Sequence, residues 1–146
     1  ALRPHQGVLC ADSGHVNTHE TGAIEATGHS VLGLPSVHGK IRAEQVGEYM
    51  KNHFADPSFE HTVQPGIVYI SNPTEWGTLY SKEELEELSK VCREWGLPLF
   101  MDGARLGYGL MAPENDLTMA DLARLCDVVM EVSNGIPIIH KGASCL

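Results

Sequence analysis

Three apolar runs in this chain end abruptly in polar residues that could do chemistry. Asp102 follows Leu97-Pro98-Leu99-Phe100-Met101, Ser71 and Asn72 follow Gly66-Ile67-Val68-Tyr69-Ile70, and Asp12 follows Val8-Leu9-Cys10-Ala11. A carboxylate at the end of such a run is costly unless it is paired or hydrogen-bonded. Asp102 is therefore either an ionised group facing a cation in a cleft, or a helix cap, or an ion-pair partner of Arg105. Arg105 closes Asp102-Gly103-Ala104-Arg105, where two small residues leave room for a ligand beside the chain. A guanidinium is the usual bidentate partner of a carboxylate, so Arg105 could hold a substrate carboxylate or tie back to Asp102.

His15, His19 and Glu20 form a second constellation. The two histidines stand at i,i+4, which would suit a metal on a helix. The order is not His-Glu-x-x-His, and no third ligand is apparent, so no metal is expected. Two readings stay open: one functional histidine, His15, in a loop at the cleft, or surface and capping histidines. The other six, His5, His29, His38, His53, His61 and His140, stand among polar neighbours and read as surface residues. No Gly-x-Gly-x-x-Gly, P-loop or Gly-x-Ser-x-Gly elbow occurs.

The elements that must position these residues alternate along the chain. Residues 7–11, 31–34, 66–71, 97–101 and 127–132 read as short apolar strands. Asn17 with Glu20 reads as a capping box for a helix over Thr21 to Thr27, stopped by Gly28. A helix is expected from about Ala43 to Phe54. Another is capped by Ser81 with Glu84, carries Leu85, Leu88, Val91 and Cys92 at helical spacing, and ends at Gly96. A last one starts near Thr118 with Asp121 three residues on. The fold class is α/β: a mostly parallel sheet with helices on both faces. In such sheets ligands bind beyond the carboxyl ends of the strands, where Asp12, Ser71, Asn72 and Asp102 stand.

The chain of 146 residues suits one domain with a sizeable core. Its formal net charge is −9, with 10 Lys and Arg against 19 Asp and Glu and no basic stripe. Nucleic-acid binding needs clustered cations and is set aside. Cys10, Cys92, Cys126 and Cys145 are widely spaced. In a core-sized domain that argues for reduced thiols and a cytoplasmic location. No signal peptide and no apolar run of membrane-spanning length is seen, so no membrane partner is expected.

Four ordered blocks resemble threonine aldolase and aromatic amino acid β-eliminating lyases. They are Ala1 to Gly7, Gly14 to His29, Ile70 to Glu75 and Phe100 to Tyr108, with compatible spacing from about residue 1 to 127. The resemblance implies an aspartate aminotransferase-like fold, part of the large domain of a type I pyridoxal-phosphate enzyme. It implies pyridoxal 5'-phosphate as cofactor and a small amino acid as substrate. It gives His15 a place stacked on the cofactor ring with a part in proton transfer, and Asp102 the pyridinium nitrogen. Arg105 would help bind the substrate carboxylate, and Glu20 would be a carboxylate near the site. The activity implied is cleavage of L-threonine or a related β-hydroxy amino acid to glycine and an aldehyde, in a homo-oligomeric parent. β-Elimination on the same fold, or a non-catalytic interaction module, are the alternatives.

The chain departs from the family pattern in three ways. The loop that holds the cofactor phosphate would lie upstream of Ala1, and the small C-terminal domain is absent. The Schiff-base lysine should follow the 127–132 strand, but Gly135 stands at its place, with Lys141 the nearest lysine. Residues 1–127 are thus expected to be part of the cofactor-binding large domain and 128–146 a divergent tail. A truncated or frame-shifted product accounts for that ending better than a displaced lysine does.

Overall fold

The computed structural model describes residues 2–133 and 136–141. Six strands form one sheet: β1 (Gln6–Ala11), β2 (Val31–Leu34), β3 (Gln64–Ser71), β4 (Leu99–Gly103), β5 (Val128–Ser133) and β6 (Ile136–Lys141), in the order β2-β1-β3-β4-β5-β6. The first five are parallel, and β6 runs antiparallel to β5. Parallel neighbours need crossovers, and helices supply them. These are α3 (Ala43–Ala55), α4 (Lys82–Glu94) and α6 (Met119–Leu125), with shorter α1 (His15–Thr18), α2 (Ala23–Ala26) and α5 (Leu106–Leu110).

The period of two along each strand sorts the side chains. One face carries Leu9, Val68, Ile70, Leu99, Met101 and Val129, each at most 3% exposed. The register sets Leu9 beside Val68 and Val68 beside Leu99. This face packs with Val46 and Met50 of α3, Leu85, Leu88 and Cys92 of α4, and Leu122 and Leu125 of α6. Each such burial stabilises by about 1.5–3 kcal/mol relative to exposure.

The other face carries Tyr69, Phe100 and Asp102. Tyr69 stacks on Phe100 with ring centroids 4.9 Å apart. Its helical cover is slighter: α1 reaches it at the carboxyl ends, where Asn17 donates to the Asp12 carbonyl at 2.8 Å and lies over Gly33.

Most elements stand where the sequence pattern puts them. The helix expected over Thr21–Thr27 does not form. Asn17 lies inside α1 and caps nothing, and Glu20 turns its carboxylate to His15. Thr21 and Gly22 take φ of 51° and 69°, a left-handed pair that breaks the helix and leaves only Ala23–Ala26. The strand expected at 97–101 starts two residues later, at Leu99, because Leu97 N–H donates to Cys92 O and closes α4.

Candidate functional site

β1, β3 and β4 are adjacent, so the loops leaving their carboxyl ends are neighbours. These loops carry His15 and Glu20, then Asn72 to Glu75, then Asp102 to Arg105. The 72–80 loop is held internally. Thr74 Oγ1 meets Thr78 Oγ1 at 2.7 Å, Thr78 donates to His38 O, and Asn72 Oδ1 accepts from Tyr80 N. Asp12, another strand-end carboxylate, accepts from the Ser36 backbone and hydroxyl; the Ser36 hydroxyl bond leads in holding it below the usual carboxylate range. It fastens β1 to the loop after β2.

Asp102 is 7% exposed. Its Oδ2 accepts from the Tyr69 hydroxyl at 2.7 Å and its Oδ1 from Ala104 N at 2.9 Å. The expected alternatives for Asp102 are not what forms: it neither caps a helix nor pairs with Arg105. Arg105 itself takes the N-cap of α5, and its Nη2 donates to Glu75 Oε1 at 3.2 Å. Asp102 is thus a buried carboxylate with no cation beside it among the described residues, and each oxygen keeps a lone pair.

His15 is the first residue of α1, with Nδ1 2.6 Å from Glu20 Oε1. An ionised carboxylate only accepts, so the Nδ1 proton faces Glu20 and Nε2 of the neutral ring is left as a base. The rings of His15 and His19 stack at 5.5 Å, and His19 Nδ1 is taken up by Thr18 Oγ1.

Glu75 is the partner of Arg105 that the sequence reading missed. Glu75 Oε2 and Arg105 Nε are both buried without a partner. The pair is thus joined by one hydrogen bond and not by two. The depression beside Arg105, about 430 Å³, is lined by Ala104, Arg105, Gly107, Tyr108 and Met111, without His15 or Asp102.

Tyr69 is the other residue missed. Burial is the first cause that pushes its phenol well above the ordinary range, and the Asp102 charge and hydrogen bond come next. The Glu20 and Glu75 charges act on it in the same direction, so Tyr69 stands within the field of all three loops. Inside the strand Gly66–Ser71 it reads as a β-former; only the register against β4 reveals the hydroxyl's partner.

The implied cofactor can be weighed against these residues. A buried, uncompensated carboxylate with free lone pairs suits a cationic ring nitrogen, and the half-exposed His15 ring has its tautomer set by Glu20. The donor set fits the ring end of pyridoxal phosphate. The lysine end is another matter. Gly135 lies outside the described residues. Lys141 pairs with Val128, the first residue of β5, so its backbone sits toward the amino end of the sheet. From Ile136 the strand has climbed away from the carboxyl ends by roughly 17 Å.

The profile of the beta-eliminating lyase family matches residues 1–134. The low specificity L-threonine aldolase of Pseudomonas sp. is 35% identical over 103 residues, 69% of this chain and 29% of that protein. The enzyme of the same name from Saccharomyces cerevisiae is 29% identical over 143 residues, 94% of this chain and 35% of its own length. The threonine aldolase of Leishmania major superposes with a TM-score of 0.82 at 51% identity, covering 90% of this chain and 37% of that one. The chain spans about a third of the length of these relatives.

Proposed function

The chain belongs to the beta-eliminating lyase family, and from that premise we propose that it supplies the ring-facing part of a pyridoxal-phosphate lyase site. The substrate is L-threonine or a related β-hydroxy amino acid, cleaved to glycine and an aldehyde. The observation that carries this reading is Asp102: a buried carboxylate at a strand end, oriented by Tyr69 and Ala104 and left without a cation.

When bound, pyridoxal phosphate supplies an electron sink for the negative charge that develops at Cα. Asp102 would keep the ring nitrogen protonated, because an anion beside a base favours its charged form. His15 Nε2 would take the proton from the substrate's β-hydroxyl, with Glu20 holding the ring at Nδ1 and stabilising the positive charge it gains. Arg105, its guanidinium partly exposed and steadied on one side by Glu75, would bind the substrate carboxylate. We further propose a homo-oligomeric parent working in the cytoplasm. Free, buried Cys10, Cys92 and Cys126 support a reducing location.

Gly135 at the lysine's place favours a second reading, a non-catalytic module that keeps the shape of the site. One assay separates them. The longest native product containing this chain, given pyridoxal phosphate and L-threonine, should release glycine and acetaldehyde, and His15→Asn should lower the rate by about 100-fold. Pyruvate and ammonia from serine would instead assign β-elimination. A folded product that turns over neither is the module.

A further inference from the structure

We propose that Tyr69 is a positioning residue of this site: its hydroxyl holds the Asp102 carboxylate oriented as an acceptor. The inference rests on the reading of Asp102 as the partner of a cationic ring nitrogen.

Two donors reach Asp102 and they reach different oxygens, Tyr69 Oη at Oδ2 and Ala104 N at Oδ1. Together they fix both side-chain torsions of the aspartate. Tyr69 is itself fixed. It lies within β3 and its ring is stacked on Phe100, 10° from coplanar. The register sets Tyr69 beside Phe100 and Ser71 beside Asp102, so the hydroxyl must reach diagonally, two residues along the neighbouring strand. A phenol is long enough to do so; a serine or valine is not.

The choice of donor matters more than the reach. The guanidinium of Arg105, three residues further along the chain, is engaged by Glu75 and makes no ion pair with Asp102. Had a cation oriented the carboxylate, it would also have neutralised it, and a cationic ring would gain little by binding there. A neutral hydroxyl orients without cancelling the charge. Burial and the surrounding Asp102, Glu20 and Glu75 charges all disfavour a phenolate. Tyr69 therefore acts as a donor at neutral pH. One lone pair on Oδ2 stays open for the incoming N–H.

The test uses the longest native product containing this chain and two readouts. The first is the NMR resonance of the Tyr69 Cζ carbon at neutral pH, compared between the wild type and Asp102→Asn. It should move when the anionic acceptor is replaced; an unmoved resonance means the bond is not made and overturns the proposal. The second is binding of pyridoxamine 5'-phosphate, whose amine cannot form a Schiff base, titrated to millimolar levels while its ring-nitrogen shift is followed. Tyr69→Phe should weaken binding about tenfold and leave the bound ring less protonated. Equal affinity and equal protonation in Tyr69→Phe would overturn the role of Tyr69 while leaving that of Asp102 intact. No binding to the wild type, or binding undiminished by Asp102→Asn, would sink the reading of Asp102 and this inference with it. Thermal unfolding monitors the variants, and if Tyr69→Phe does not fold, the Asp102→Asn comparison still decides the first readout.

Discussion

At the scale of single residues, the site is a matter of who holds whom. His15 is set by Glu20, Arg105 by Glu75 and Asp102 by Tyr69. The first pair makes a direct prediction. Glu20→Gln replaces an obligate acceptor with an amide that can also donate, so His15 should lose its preference for the Nδ1–H tautomer, read by ring-nitrogen NMR. Unchanged tautomer populations would show that Glu20 does not set the ring. Gly103 makes another. A Cβ there would lie 2.6 Å from Met130 O and 3.0 Å from Leu106 Cβ, so Gly103→Ala must shift backbone beside Asp102. It should cost about 1–3 kcal/mol in denaturant unfolding. The family blocks made His15, Glu20, Asp102 and Arg105 legible. Their partners were less so: Glu75 and Tyr69 lie 30 and 33 residues away along the chain, and only the sheet register brings them close.

At the scale of elements, the strongest local signals were the capping boxes of α4 and α6, and both form. Ser81 Oγ accepts from Glu84 N and Glu84 Oε2 from Ser81 N; Thr118 and Asp121 repeat the exchange. Lys82 Nζ reaches Asp121 Oδ1 at 2.8 Å, tying one helix start to the other. Ser81→Ala should cost about 1 kcal/mol, measured by chemical denaturation. The same carboxylates set an acid limit. Burial alone would raise Glu84, but the Lys40 and Ser81 hydrogen bonds outweigh it and hold the group below its ordinary 4.5. The Lys82 bond leads, with Thr118 next, in holding Asp121 well below 3.8. Groups depressed in the folded state stabilise it above their unfolded values, and that contribution is lost as pH falls through the folded ones. Thermal stability should therefore drop as pH falls from about 4.5 downward, and less steeply in Thr118→Ala. The Asn17–Glu20 box failed for a physical reason: Glu20 had a better partner in His15, and a box needs its carboxylate free to turn back.

At the scale of the whole molecule, alternating short strands and helices announced the parallel sheet. The antiparallel β6 was not foreseen, since the residues after the 127–132 strand were read only as a divergent tail. Its direction carries a prediction. Lys141 starts from the amino end of β5, so the chain given pyridoxal phosphate should form no borohydride-reducible link to it, and no absorbance band near 410–430 nm, the region of a protonated imine. A reduced adduct mapped to Lys141 would overturn that. The sheet order has a further consequence, for the time course of folding. β1 precedes both neighbours along the chain yet ends between β2 and β3, bonded on both sides. Until residue 71 has been synthesised and brought back, β1 lacks its β3 neighbour, and two strands alone are marginally stable. Contacts as distant as Leu9 with Val68 place the sheet late and make its assembly slow. Once it closes, Leu9, Val68 and Leu99 lie in the interior, fully buried, and release their amide protons only when the whole sheet opens. Hydrogen exchange should find these three slowest and β2, at the sheet's edge, far faster, so that two strands bonded side by side let go on very different timescales.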